Sequence, residues 1–285
     1  MNLLHTIPQL REQVAAARRS GSIVGLVPTM GALHDGHLSL IRRARSECGF
    51  VVVSVFVNLT QFGPGEDLDR YPRDPEADVR ACAEAGVDVV FAPDAGQMYP
   101  DGFDTWVEVG GPARVLEGVS RPGHFRGVAT VCAKLFNIVG PDRAYFGRKD
   151  YQQLKVIEKM VRDLDMRLEI VPVDTVREPD GLAMSSRNVY LNADERRAAT
   201  VIHQALSEAV AAFEAGERSA ASVQDLAQNL INLEPLAELD YAAVVDAETL
   251  MPVDSLDLPA VLLLAVRIGG TRLIDNVVLQ GGYGG

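Results

Sequence analysis

Cysteine, tryptophan and lysine are scarce in this 285-residue chain, which has three, one and four of them. Cys48, Cys82 and Cys132 are scattered, odd in number and without Cys-x-x-Cys spacing. That excludes a disulfide framework and reads as small buried hydrophobes in a reduced protein. Long apolar runs are missing too. The longest, near 51–57 and 258–266, fall well short of the roughly 20 residues that cross a bilayer. The apolar start is broken by Gln9, Arg11 and Glu12, which leaves no signal-peptide pattern. Positive charge is also short: 27 Lys and Arg against 39 Asp and Glu give a net charge of −12. Such a balance argues against a broad nucleic-acid footprint. An anionic substrate must be met by a local group of basic side chains instead. The expectation is a soluble, cytoplasmic protein with neither a nucleic-acid nor a membrane partner.

What is present is an ordinary core composition, 47% hydrophobic, and a change of texture near Thr175. Before it, short apolar runs alternate with helical patterns. Strands are expected at 23–27, 51–57, 88–92, 143–146 and 168–173, with helices at 38–48, 75–85, 128–139 and 151–164. The run Val51–Val57 is apolar on both faces, as in a parallel sheet covered by helices. The expected fold class is α/β, a doubly wound, mostly parallel Rossmann-like sheet. After Thr175 come a long Ala-rich helical pattern at 193–215, a shorter one at 220–231, and strands at 241–245, 261–268 and 271–278. Gly269-Gly270 joins the last two as a two-residue hairpin signal. This predicts a smaller α+β domain, with residues 1–175 as the first domain and 176–285 as the second. A glycine-rich tail, Gly281–Gly285, ends the chain.

The sharpest local signal is Pro28-Thr29-Met30-Gly31-Ala32-Leu33-His34-Asp35-Gly36-His37, placed after the first strand and opening a helix. Ligands of open α/β sheets sit at the carboxyl ends of strands. Glycines let backbone approach a ligand, and a helix start offers free N–H groups and positive dipole to phosphate. Two histidines three apart can donate hydrogen bonds to oxygens that gain charge as pyrophosphate leaves. A plain strand–turn–helix link whose histidines only cap or pack would share this pattern. A metal pair is a second alternative, and it would need a third ligand.

The segment resembles the His-x-x-His signature of the nucleotidyltransferase superfamily and, more narrowly, the signature of the pantothenate synthetase family. Four further blocks resemble that family in the same order. These are Val57-Asn58…Gln61-Phe62 with Asp69–Arg73; Arg121–Val128; Phe146–Gln153; and Met184-Ser185-Ser186-Arg187-Asn188. The resemblance covers essentially the whole chain. It departs at Leu59-Thr60, where the family usually has Pro-Met, and at Arg148, where Glu or Gln is common and whose side chain is expected to point outward.

The resemblance implies condensation of (R)-pantoate with β-alanine through a pantoyl-adenylate, driven by ATP and releasing AMP and pyrophosphate. His34, His37 and Lys149 would serve catalysis by meeting phosphate charge. Met30, Gly31, Gly147, Arg148, Lys149, Asp150, Val176, Met184, Ser185, Ser186 and Arg187 would join the two histidines in binding ATP. Gln61 and Gln153 would hold pantoate, with Gln61 also near β-alanine, and His124 is expected in the pocket or at a dimer contact. Mg²⁺ would accompany ATP. Asp78 is a candidate carboxylate for that ion, although the helix around it otherwise reads as a solvated face. A homodimer through the first domain, with the second acting as a lid, completes the expectation.

Two other classes compete. A nucleotidyltransferase that retains the nucleotide on its product would share the first signature, but not Asn58, Gln61 and Gln153 together. A nucleotide-sensing module would bind ATP and release no pyrophosphate with any acid. A tRNA-charging enzyme is disfavoured by size and acidity.

Overall fold

A computed structural model describes residues 1–280; the Gly281–Gly285 tail lies outside the described residues. The chain forms two compact units. The first comprises Met1–Arg148 and Gln152–Asp174; the second comprises Lys149–Tyr151 and the chain from Thr175 onward. Membership of the short 149–151 segment in the second unit leaves no trace in periodicity.

In chain order the first unit begins β1 (Asn2–Leu4), α1 (Ile7–Arg19), β2 (Val24–Thr29), α2 (Asp35–Glu47), β3 (Phe50–Val55), α3 (Pro75–Glu84) and β4 (Val89–Phe91). It continues with the short helices α4 (Ala95–Met98) and α5 (Glu117–Ser120), then α6 (His124–Val139), β5 (Arg143–Gly147), α7 (Tyr151–Asp163) and β6 (Glu169–Val173). The six strands form one sheet in the order β1-β4-β3-β2-β5-β6, every pair parallel. Val51, Val52, Val53 and Ser54 of β3 are all buried, as strands covered on both faces require. The chain turns from one half of the sheet to the other between β2 and β5, so the carboxyl ends of these two strands flank the switch-point crevice.

The second unit holds α8 (Ala193–Ala198), α9 (Thr200–Glu214), α10 (Ala220–Asn232), β7 (Ala237–Asp246), β8 (Ala260–Ile268) and β9 (Thr271–Leu279). Its three strands make an antiparallel sheet, β7-β8-β9, against which α9 and α10 pack. Ile268 pairs with Thr271, leaving Gly269-Gly270 as the two turn residues, and Gly269 adopts the left-handed φ of 55° such a turn needs.

Two local expectations are corrected. The helical pattern at 193–215 is two helices that meet at Ala199, where the Thr200 hydroxyl donates to the Arg197 carbonyl and competes with the main-chain ladder. The β1 and α1 elements extend the fold beyond the strands and helices read from periodicity, although Leu10, Val14 and Ala17 of α1 do bury one helical face.

Candidate functional site

The turn after β2 is built by short hydrogen bonds. The Thr29 hydroxyl donates to the Ser54 carbonyl at 2.7 Å and accepts from the Gly31 N–H at 3.2 Å. Gly31 (φ 84°) and Ala32 (φ 51°) are both left-handed. That conformation strains a non-glycine residue, so Ala32 needs support from its surroundings. Asp78 provides it: its two carboxylate oxygens accept from the Ala32 and Leu33 N–H groups at 3.0 and 2.7 Å.

α3 is solvated along most of its length, as its sequence reads, but Asp78 and Cys82 are buried, and the Asp78 carboxylate has this structural role. Asp78 is buried, and both of its oxygens already take backbone donors. Burial raises its pKa, and the two N–H groups offset part of that rise. A β-carbon on Gly31 would lie 2.8 Å from an Asp78 oxygen, so glycine there leaves room for the clamp as well as for the backbone bend.

α2 begins at Asp35, earlier than periodicity places it, because His34 caps it. The His34 Nδ1 accepts from the Gly36 N–H at 3.1 Å, and His37 Nδ1 accepts from the His34 N–H at a long 3.4 Å. With Nδ1 an acceptor, each neutral imidazole carries its proton on Nε2, which makes that nitrogen a donor. The rings sit 4.1 Å apart. Two donors beside a helix N-terminus, at the switch point of a parallel sheet, form an arrangement for oxygen anions.

A second polar group lies after β3. Asn58 is buried, and its Nδ2 donates to the Gln61 Oε1 at 3.0 Å and to the Gly127 carbonyl at 3.2 Å. Its Oδ1 accepts from the Thr60 hydroxyl at 3.0 Å and the Tyr99 hydroxyl at 2.7 Å. Asn58 is therefore scaffold, and it dictates which way the Gln61 amide faces. The Gln61 Nε2 lies 3.1 Å from the Met30 sulfur, which brings two of the expected binding residues together. The Leu59-Thr60 departure is absorbed locally: Thr60 joins the Asn58 network and Leu59 is exposed.

His124 holds Gln61 from the other side. Arg121 Nη1 donates to its Nε2 at 3.0 Å, so Nδ1 bears the proton and donates to the Gln61 carbonyl at 2.8 Å. Arg121 in turn grips Glu66 through two hydrogen bonds, at 2.8 and 2.6 Å. Burial first, then the Arg121 charge, pushes the His124 pKa down to about 4. For Glu66, burial alone would raise the pKa, but the Arg121 bonds and charge outweigh it and hold the carboxyl below its usual range.

Unfolded His124 takes a proton below its ordinary 6.5, whereas folded His124 resists until about 4. Its contribution is whole above pH 6.5 and is lost as pH falls toward 4, up to about 3 kcal/mol. Glu66 acts in the same direction. His124→Asn, which keeps a donor for the Gln61 carbonyl, is expected to show a flatter loss of stability between pH 6.5 and 4 in urea titrations. Equal slopes would remove His124 as the source.

Gly147 ends β5 and Arg148 follows it, 42% exposed, with its Nε 3.1 Å from Asp174. Gln152 and Gln153 have different positions despite adjacency. Gln152 is buried and donates to the Pro112 and Val115 carbonyls, both at 2.7 Å, while Gln153 is half-buried on α7.

In the second unit, Lys149 Nζ lies 3.3 Å from Asp150, and the Lys149 carbonyl accepts from Asn276 Nδ2 at 2.9 Å. Val176 and Met184 face each other in a hairpin, the Met184 N–H donating to the Val176 carbonyl at 3.0 Å. Beyond it, the Ser185 hydroxyl accepts from the Arg187 N–H and caps the 3₁₀ turn Ser186–Tyr190.

A family model described as pantoate–β-alanine ligase matches residues 2–278. The chain belongs to the pantoate–β-alanine ligase family. It is accordingly a ligase enzyme. It is 56% identical over 280 residues to the pantothenate synthetase of Moorella thermoacetica, covering 98% of this chain and 99% of that one. Identity to the pantothenate synthetase of Rubrobacter xylanophilus is also 56%, over 97% and 98% of the two chains. The crystal structure of the Thermus thermophilus pantothenate synthetase matches with a TM-score of 0.94 at 49% identity, over 99% of this chain and 100% of that one. A Francisella tularensis pantoate–β-alanine ligase, solved in complex with a β,γ-ATP ligand and β-alanine, matches with a TM-score of 0.82 at 35% identity, over 99% of each chain.

Among the described residues no helix is long and apolar enough to cross a membrane, and no group of three or more His, Cys, Asp or Glu side chains could hold a metal ion. The three cysteines are free and buried. The sequence pattern singles out Asn58 and Asp78 but not their supporting hydrogen bonds, nor those of Gln152, because a buried polar side chain bonded to main-chain atoms far away in sequence leaves no periodic mark.

Proposed function

We propose that this ligase condenses (R)-pantoate with β-alanine in two steps, through a pantoyl-adenylate. The observation that carries the reading is the placement of His34 and His37, with their Nδ1 atoms turned to the main chain, at the start of α2. The pantoate carboxylate attacks the α-phosphorus of ATP, the bond to the β-phosphate oxygen breaks, and pyrophosphate leaves. The β-alanine amine then attacks the carboxyl carbon of the mixed anhydride, forming the amide and releasing AMP. Such transfers require positioning and charge stabilisation and no protein nucleophile.

His34 and His37 meet phosphate oxygens, Lys149 supplies a compact cation, and Ser185, Ser186 and Arg187 steady the pyrophosphate. Met30, Gly31, Gly147, Arg148, Asp150, Val176 and Met184 complete the ATP contacts by family resemblance. Gln61 and Gln153, neutral amides suited to hydroxyl groups, hold pantoate, and Gln61 also borders β-alanine. Both Asp78 oxygens accept backbone N–H groups of the Ala32–Leu33 turn. Mg²⁺ would accompany ATP, as the ion its phosphates carry. The family resemblance also supports a cytoplasmic homodimer joined through the first unit.

The test is isotope exchange between pyrophosphate and ATP with pantoate present and β-alanine absent. Exchange is expected, and its pantoate requirement should rise about tenfold in Gln153→Ala while the ATP requirement stays nearly constant. If exchange begins only when β-alanine is added, the adenylate route is wrong.

A further inference from the structure

Two adjacent residues of β9 reach both parts of the second unit that the proposed function uses. Asp275 and Asn276 are both buried, which is unusual for neighbours on an edge strand, since successive side chains point to opposite faces. Each has a specific partner. Asn276 Nδ2 donates to the Lys149 carbonyl at 2.9 Å, across 127 residues of sequence. Asp275 takes the Arg177 guanidinium in a two-point pair, with Nη1–Oδ2 at 2.5 Å and Nη2–Oδ1 at 3.1 Å. It also accepts the Asn276 N–H at 2.8 Å.

The Arg177 end leads directly to the Ser185–Arg187 turn. Arg177 Nη1 donates to the Gly181 carbonyl at 3.1 Å and closes the tip of a hairpin in which Arg177 bridges Ala183 and the Met184 N–H meets the Val176 carbonyl. Asn188 then ties the far side of the turn back, donating to Glu178 at 2.9 Å and to the Ala183 carbonyl at 3.1 Å. The Lys149 end is anchored twice, because the Tyr151 hydroxyl also donates to the Ala247 carbonyl at 2.8 Å. A charge-assisted fork on a buried carboxylate is a stiff connection, and a buried amide donating to a main-chain carbonyl is another.

We propose that Asp275 and Asn276 are positioning residues that hold Lys149 and the Ser185–Arg187 turn in one fixed frame for a nucleoside triphosphate. The proposal rests on the reading of Lys149 as a phosphate-binding cation. Neither residue acts on substrate directly; Asn276 works through the Lys149 main chain and Asp275 through Arg177. The frame explains why a three-residue segment at the start of α7 belongs with the second unit.

The experiment is a double-mutant cycle read by pyrophosphate–ATP exchange at saturating pantoate, on wild type, Asn276→Ala, Lys149→Ala and the double variant. Asn276→Ala is expected to slow exchange or raise the ATP requirement about fivefold to tenfold, the worth of one neutral hydrogen bond, with the pantoate requirement within about twofold of wild type. In the Lys149→Ala background the same change should add almost nothing, because its route of action is gone; a residue that only stabilises the unit would cost the same in both. If Asn276→Ala melts below the assay temperature, Asn276→Ser, too short to reach the carbonyl, takes its place with the same outcomes. A normal Asn276 variant beside a crippled Lys149→Ala overturns the positioning role alone. A silent Lys149→Ala overturns the phosphate reading of that lysine and this proposal with it.

Discussion

His37→Ala is expected to slow pantoate-dependent pyrophosphate–ATP exchange about 10²–10³-fold, the usual loss when one preorganised donor to a developing charge is removed. The effect belongs in rate more than in binding, because charge on the departing phosphate grows between ground state and transition state. The fold should survive. His37 accepts a long 3.4 Å bond from the His34 N–H, while the shorter cap on the Gly36 N–H is made by His34. A melting temperature close to wild type with exchange reduced by two orders of magnitude is the expected pair of results. Near-normal exchange in a folded His37→Ala protein would make the histidine a cap and nothing more.

Gly127→Ala is expected to damage both stability and pantoate binding. Gly127 lies within α6, where glycine is worse than alanine by roughly 0.5–1 kcal/mol, so a helix interior keeps it only for a local reason. The reason is close approach. A β-carbon there would stand 2.3 Å from the Thr60 carbonyl oxygen and 2.7 Å from the Gln61 nitrogen. Both are backbone atoms, so no side-chain rotation relieves the clash and the 59–61 turn must move. Overpacking of this kind costs about 1–3 kcal/mol. The displaced turn carries Gln61, and the Gly127 carbonyl also accepts from Asn58, so the pantoate requirement should rise more than the ATP requirement. Urea denaturation and steady-state kinetics on one preparation test this, and unchanged values in both would mean that α6 and the turn separate without cost.

The parallel sheet was legible in the sequence because its cause is local. Runs such as Val51–Val53 are apolar on both faces, and only strands covered on both sides use such runs. The hairpin at Gly269-Gly270 was legible for the same kind of reason, since its left-handed φ selects glycine directly. The histidines at the start of α2 could be placed because a strand, a glycine turn and a helix start lie within one short segment.

Other features depend on partners distant along the chain. Asp78 sits on a helix whose sequence reads as solvated, yet it is buried because the donors it satisfies are the Ala32 and Leu33 N–H groups, 46 and 45 residues away. The orientation of the Gln61 amide is dictated by Asn58, and its carbonyl is held by His124, 63 residues on. Lys149 is fixed by Asn276, and the hairpin before Ser185 by Asp275. Periodicity records which face of an element meets the core, since burial of apolar area is non-directional and repeats with the helix or strand. A hydrogen bond joins two particular atoms at one distance and angle, and carries no repeat along the chain. The sequence by itself therefore determined the layers, the hairpin and the position of the glycine turn that opens α2, while only the tertiary structure decided which buried polar groups hold the candidate site's side chains in place.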